Sequence, residues 1–117
     1  LDATKYNHHY FGAYYHYWLA YNQIDFEEEM LACAQNHLIL VMQGGKDIQV
    51  YESYYERYQE LLPETTYNNV WHTFFPDLNH LFVDGKDETI QTAYSVEANV
   101  EQQVIDEIAQ FVRGANT

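Results

Sequence analysis

The sequence predicts an α/β fold in which two parallel strands are flanked by helices. Three observations lead to it. Leu38-Ile39-Leu40-Val41-Met42 is a continuous apolar run, the pattern of a strand covered on both faces. Val70-Trp71-His72-Thr73-Phe74-Phe75 is a second run, rich in aromatic and branched residues. Segments of helical periodicity lie before, between and after these runs. That alternation favours parallel pairing through a right-handed crossover.

Residues 1–36 read as an aromatic-rich helical segment. Tyr10, Tyr14, Trp18 and Tyr21 recur at helical spacing, although Gly12 weakens the start. Asp25 opens a short helix. Its carboxylate can accept from the first free backbone N–H groups, with Glu28 at the capping-box position. Glu27, Glu28 and Glu29 favour the positive end of the helix dipole. Met30, Leu31 and Ala34 supply its inner face, and Asn36 is a stop.

Residues 37–117 read as a strand-helix-strand-helix unit. Gly44-Gly45 ends the first strand. From Glu52 to Leu62, a stripe of Tyr54 or Tyr55, Tyr58 and Leu61 or Leu62 predicts a helix that Pro63 stops. Glu52, Glu56 and Glu60 recur every fourth residue on a solvated face. Pro76 closes the second strand, and residues 84–98 are polar and irregular, with a turn at Asp84-Gly85. Asn99 and Gln102 form a capping pair for a last helix whose inner face is Val104, Ile105, Ile108, Phe111 and Val112. Gly114 is placed as its C-terminal stop.

A chain of 117 residues, 47% hydrophobic, is at most one domain with one modest core. Its 18 acidic and 5 basic residues give a net charge of −13. Such a balance excludes a nucleic-acid backbone or an anionic membrane surface as partner. No apolar run approaches a membrane span, and no signal-peptide pattern is present. The single cysteine, Cys33, excludes an internal disulfide and fits a reducing, cytoplasmic setting; it reads as a small buried apolar group.

Two residues past strand ends could carry chemistry. Asp47 follows the first strand and two glycines, and His80 follows the second strand. Adjacent parallel strands bring their carboxyl ends to one sheet edge, so the two residues can meet despite their separation. An aspartate there can hold an imidazole N–H, fix its tautomer and stabilise the imidazolium. Imidazole titrates near neutral pH and suits general-base work. Asp47 could instead cap a turn, and Asp77 and Asp84 flank His80 as alternative partners. His72 alternates with Val70 and Phe74 and reads as structural. His8, His9 and His16 have no carboxylate or cysteine at telling spacing, so no metal site is assigned.

The residues "LILVMQGGKD" over 38–47 and "FPDLNHLF" over 75–82 resemble the acid and histidine loops of α/β-hydrolase-fold serine hydrolases. The resemblance is to the bacterial esterase/lipase and dienelactone-hydrolase-like branch, also related to acyl-peptide hydrolases, and covers about residues 17–113. It implies the C-terminal part of an α/β-hydrolase fold. Asp47 would be the acid, His80 the base, and a serine on a Gly-x-Ser-x-Gly elbow the nucleophile of a catalytic triad. The substrate would be a small-molecule carboxylic ester, with peptides or thioesters as further candidates. No cofactor or metal is required. In such enzymes an aromatic cap-like segment can line the substrate pocket, here with Trp18 and Tyr14.

The chain departs from that pattern in lacking Gly-x-Ser-x-Gly. Its serines are Ser53, within a predicted helix, and Ser95, in a polar loop. A complete doubly wound hydrolase also needs roughly twice as many residues. These features, with the start at Leu1, lead to the expectation of a piece of a longer enzyme, inactive by itself. The alternative is a non-catalytic oligomerising or binding module. A strand as apolar as residues 38–42 expects neighbours on both edges. The expected partner is therefore the N-terminal part of the same enzyme or a second copy of the chain.

Overall fold

A computed structural model describes residues 9–85, 94–95 and 97–115. The chain divides into two compact units, Leu1–Cys33 and Ala34–Thr117.

In the first unit, β1 (His9–Tyr10) and β2 (Ala13–Tyr14) form a small antiparallel hairpin. Helix α1 (Tyr15–Tyr21) follows, and α2 (Phe26–Ala34) runs to the boundary. The single helical segment expected from Tyr10 onward is thus corrected. Phe11 and Gly12 have φ of 49° and 82°, two consecutive left-handed residues that a right-handed helix cannot accommodate. Such a pair suits a tight hairpin turn, so Tyr10 and Tyr14 lie on strands and the helix starts at Tyr15. Asp25 caps α2 as expected, its Oδ1 accepting the Glu28 N–H at 3.0 Å. The aromatic residues pack on one another. Trp18 meets Phe11, Tyr17 and Tyr21 edge-on, at ring separations of 6.5, 5.1 and 5.7 Å. These are favourable edge-to-face geometries. Cys33, read as a small buried apolar group, is half-buried. His8 and the side chain of His9 lie outside the described residues.

The second unit is built on two parallel strands, β3 (Ile39–Gly44) and β4 (Val70–Phe75), paired from Ile39↔Val70 to Gly44↔Phe75. Helix α3 (Glu52–Leu61) is the connection between them, and α4 (Gln102–Ala115) ends the described chain. Alternation along the strands assigns the two faces. On one face Tyr55 of α3 packs against His72 and Phe74, at ring separations of 6.0 and 5.5 Å. On the other, α4 places Phe111 against Trp71 at 5.5 Å and Glu107 within 2.7 Å of the Thr73 hydroxyl, which donates to it. Phe75, Leu78 and Val104 form a core cluster joined by Met42 and Phe82. Upstream, Asn69 ties the strand entrances together, its amide donating to the carbonyls of Ala34 and His37 at 2.6 Å each.

Two expectations about α4 change. The helix begins at Gln102, with the preceding Glu101 N–H donating to the Phe82 carbonyl at 2.9 Å; Asn99 lies outside it, and Gly114 falls inside its last turn. The row facing the sheet is Val104, Glu107 and Phe111, whereas Ile105, Ile108 and Val112 are exposed. The Thr73–Glu107 hydrogen bond and the Trp71–Phe111 ring contact both lie on that row. Strand β3, which reads as a central strand, has β4 as its partner among the described residues.

Leu78 joins the core to the loop after β4 and is 1% exposed. Truncating it removes buried apolar volume that neighbours refill only in part. Leu78→Ala is expected to lower unfolding stability by about 2–5 kcal/mol, measured by urea denaturation. Ile105→Ala, at an exposed position of α4, serves as the near-neutral control.

Candidate active site

The site lies where the two parallel strands end. Past the strand ends the loops remain zipped backbone to backbone. The Gly45 N–H donates to the Phe75 carbonyl at 2.7 Å and the Lys46 N–H to the Leu78 carbonyl at 2.9 Å. This contact requires glycine. A Cβ at Gly44 would sit 2.4 Å from the Leu78 carbonyl oxygen and 2.7 Å from that of Asn79. One at Gly45 would sit 2.5 Å from the Pro76 oxygen. All are far inside van der Waals contact, and the obstructing atoms are backbone.

This approach sets Asp47 Oδ2 2.8 Å from His80 Nδ1, across 33 positions of sequence. The other carboxylate oxygen, Oδ1, accepts the N–H groups of Gln49 and Val50, both at 2.8 Å, in a turn closed by the side chain itself. Asp47 is nearly enclosed, with its side chain 6% exposed, and His80 is 34% exposed. Burial pushes the Asp47 carboxyl up. The Val50 N–H, the His80 ring, the Gln49 N–H and the charge of protonated His80 pull it down and prevail, so it titrates below its ordinary 3.8. An ionised carboxylate only accepts, so Nδ1 must carry the proton. In neutral His80 the lone pair is then on Nε2. A base with a fixed tautomer and an oriented ring is the result.

The histidine loop closes on Asn79. Asn79 Oδ1 accepts the N–H groups of Leu81 and Val83 at 2.9 and 3.2 Å. Its backbone N–H donates to Val83, and its carbonyl accepts from Phe82. Phe82 takes φ of 57°, and its ring packs edge-on to Phe75 at 6.0 Å. The acid loop is closed by Gln43, whose Nε2 donates to the carbonyls of Gly44 at 3.1 Å and Val50 at 2.8 Å. The Tyr94 hydroxyl also donates to Gln49 Oε1. Sequence reading missed Gln43 and Asn79. A polar residue ending an otherwise apolar strand, and an asparagine directly before the histidine, were the available signals.

Of the other candidates, Asp77 and Asp84 engage through backbone: the Asp77 carbonyl accepts from Gly85, and Asp84 bridges to Leu78. His72 is buried, with its backbone N–H donating to Glu64 Oε1 at 2.8 Å and its ring Nδ1 3.7 Å from that oxygen. Tyr14 and Trp18 belong to the first unit, where Tyr14 stacks on His16 at 5.8 Å. Ser53 is exposed on α3, and Ser95 lies in a turn. Among the described residues no group of three or more histidine, cysteine or acidic side chains could hold a metal ion, and no helix is long and apolar enough to cross a membrane.

Over 74 residues, 63% of its length, the chain is 35% identical to Esterase EstD of Thermotoga maritima; it spans 18% of that relative's length. The sequence is in this respect esterase-like. No family model matches the chain, and no solved structure matches it.

Because the folded state lowers the Asp47 pKa, ionised Asp47 stabilises the fold. That contribution is fully present above the ordinary 3.8 and is lost as pH falls through the lower folded value. The stability difference between the natural chain and Asp47→Asn, from urea unfolding at stepped pH, is therefore expected to shrink as pH drops below 3.8. Gly44→Ala is expected to separate the two loops and abolish the Asp47–His80 hydrogen bond, seen as loss of the His80 Nδ1–H resonance in NMR.

Proposed function

We propose that the chain is the C-terminal portion of a serine hydrolase of the esterase/lipase, dienelactone-hydrolase-like kind, acting on carboxylic esters. The observation that carries the reading is the Asp47–His80 pair at the carboxyl ends of two parallel strands. The similarity to an esterase supports it. Asp47 orients His80 and stabilises its imidazolium. His80 Nε2 takes the proton of a serine supplied by sequence outside these residues, and returns it to the leaving alkoxide as general acid. The acyl group passes from serine to water, and no cofactor is needed. The edge of β3 opposite β4 is covered, in this reading, by a strand from the preceding part of the same protein.

Measured in that longer protein, Asp47→Asn is expected to lower turnover of a p-nitrophenyl ester on the order of 10⁴-fold, as loss of a triad acid does elsewhere. His80→Ala should act at least as strongly. Unchanged turnover in both variants overturns the reading. The 117-residue chain by itself should neither hydrolyse the ester nor take label from an active-site phosphonate. Stoichiometric labelling of Ser53 or Ser95 would overturn the assignment of the nucleophile elsewhere.

The absence of a Gly-x-Ser-x-Gly elbow from these 117 residues favours one other reading, a non-catalytic module that associates through the edge of β3 opposite β4, which has no partner strand among the described residues. Sedimentation at micromolar concentration separates the two. A discrete, stable dimer favours the module, and loss of that dimer on adding the missing part of the hydrolase favours the enzyme.

A further inference from the structure

Among the described residues, two polar residues are buried backbone and side chain together, both amides: Gln43 at 7% exposure and Asn79 at 4%. Burying an amide without partners is costly, so each is sustained by the hydrogen bonds it makes. Each stands at the root of one loop of the candidate site. Gln43 is the last residue of β3 before the glycines, and Asn79 directly precedes His80. We propose that Gln43 and Asn79 are the positioning residues of the Asp47–His80 pair, one clamping the acid loop through its donor end and the other clamping the histidine loop through its acceptor end. The functional meaning of the pair rests on the hydrolase reading, whereas the clamping rests on geometry alone.

Gln43 Nε2 reaches the carbonyls of Gly44 and Val50, which lie on either side of Asp47 in the chain. Val50 in turn gives its own N–H to Asp47 Oδ1. Gln43 therefore holds the residue that holds the carboxylate. Without a donor at this position, two carbonyls lose a partner and the far end of the loop is released. Asn79 works with the opposite polarity. Its Oδ1 takes the N–H groups of Leu81 and Val83, which follow His80, while its backbone exchanges hydrogen bonds with Val83 and Phe82. His80 is thus held at the head of a turn that bends back on the preceding residue, through the left-handed Phe82. The hydrogen bonds of both amide side chains run to backbone groups of the loops and not to the Asp47 or His80 side chains, so both act through the loops.

The opposite polarity gives a chemical signature that simple packing does not. A carboxylate has no donor but keeps its acceptors. Gln43→Glu must fail where Asn79→Asp succeeds. The test is NMR of the full 117-residue chain at neutral pH, following the His80 Nδ1–H resonance, assigned by its loss in His80→Ala, and the exchange of the loop amides. Gln43→Glu and the near-isosteric Gln43→Met are expected to lose the resonance and to speed Val50 amide exchange on the order of tenfold or more, the effect of leaving buried polar groups unmatched. Asn79→Leu is expected to lose the resonance with faster exchange at Leu81 and Val83, and Asn79→Asp to keep both signals. An intact resonance in Gln43→Glu or Gln43→Met, or its loss in Asn79→Asp, overturns the proposal. Global unfolding of both Gln43 variants by circular dichroism also overturns it, because Gln43 would then hold the fold and not the pair. In the longer hydrolase, Gln43→Met is expected to lower kcat with little change in KM. Failure of the hydrolase reading appears separately, as full activity in Asp47→Asn and His80→Ala.

Discussion

The candidate site depends on one contact, the backbone of Gly44-Gly45 lying against the backbone of Pro76 to Asn79. Parallel strands stand close to 4.8 Å apart, and strands that twist usually let their loops diverge beyond the last ladder hydrogen bond. Here the ladder is prolonged by the N–H groups of Gly45 and Lys46, which donate to Phe75 and Leu78. The prolongation is possible because no Cβ stands between the chains. A short side chain such as that of Asp47 can then span to His80 without leaving its own turn. The buried Leu78 side chain ties the same segment to Phe75 and Val104, so the core and the site share a foundation.

The electrostatics follow from this packing. A carboxylate as enclosed as Asp47 is penalised by desolvation. Two backbone N–H groups on one oxygen and an imidazole on the other outweigh the penalty. The two oxygens have separate tasks: Oδ1 fixes the carboxylate plane, and Oδ2 engages the ring. A carboxylate held by the ring alone could rotate about its own bond, and the imidazole would lose its orientation with it.

Much of the second unit was legible in the sequence. The runs at 38–42 and 70–75 mark strands because side chains buried on a sheet leave unbroken apolar stretches; the second strand has those bounds, and the first is shifted by a residue or two. The meeting of Asp47 and His80 was legible because polar residues just past such runs must emerge at one edge if the strands are parallel, as they are. The first unit was less legible. Tyr10, Tyr14 and Trp18 fit a helical period, but the backbone at Phe11-Gly12 turns left-handed, and no side-chain spacing reports that. On α4 the apolar residues outnumber the positions that face the sheet, and one of those positions goes to the polar Glu107, which bonds Thr73. Gln43 and Asn79 escaped notice because composition presents an amide as a surface residue; only the course of the surrounding backbone shows it to be enclosed.

The hydrogen bonds that hold Asp47 and His80 close almost entirely between Gln43 and Gly85. That stretch is contiguous and carries its own hairpin-like stitching between two loops. The pair and most of the bonds that hold it therefore travel together as one continuous segment. For a protein engineer it is a portable carboxylate–imidazole pair. Two parallel strands of matching length, a helix to connect them, and an apolar neighbour in the place of Val104 against Phe75 and Leu78 are the scaffold it asks of its host.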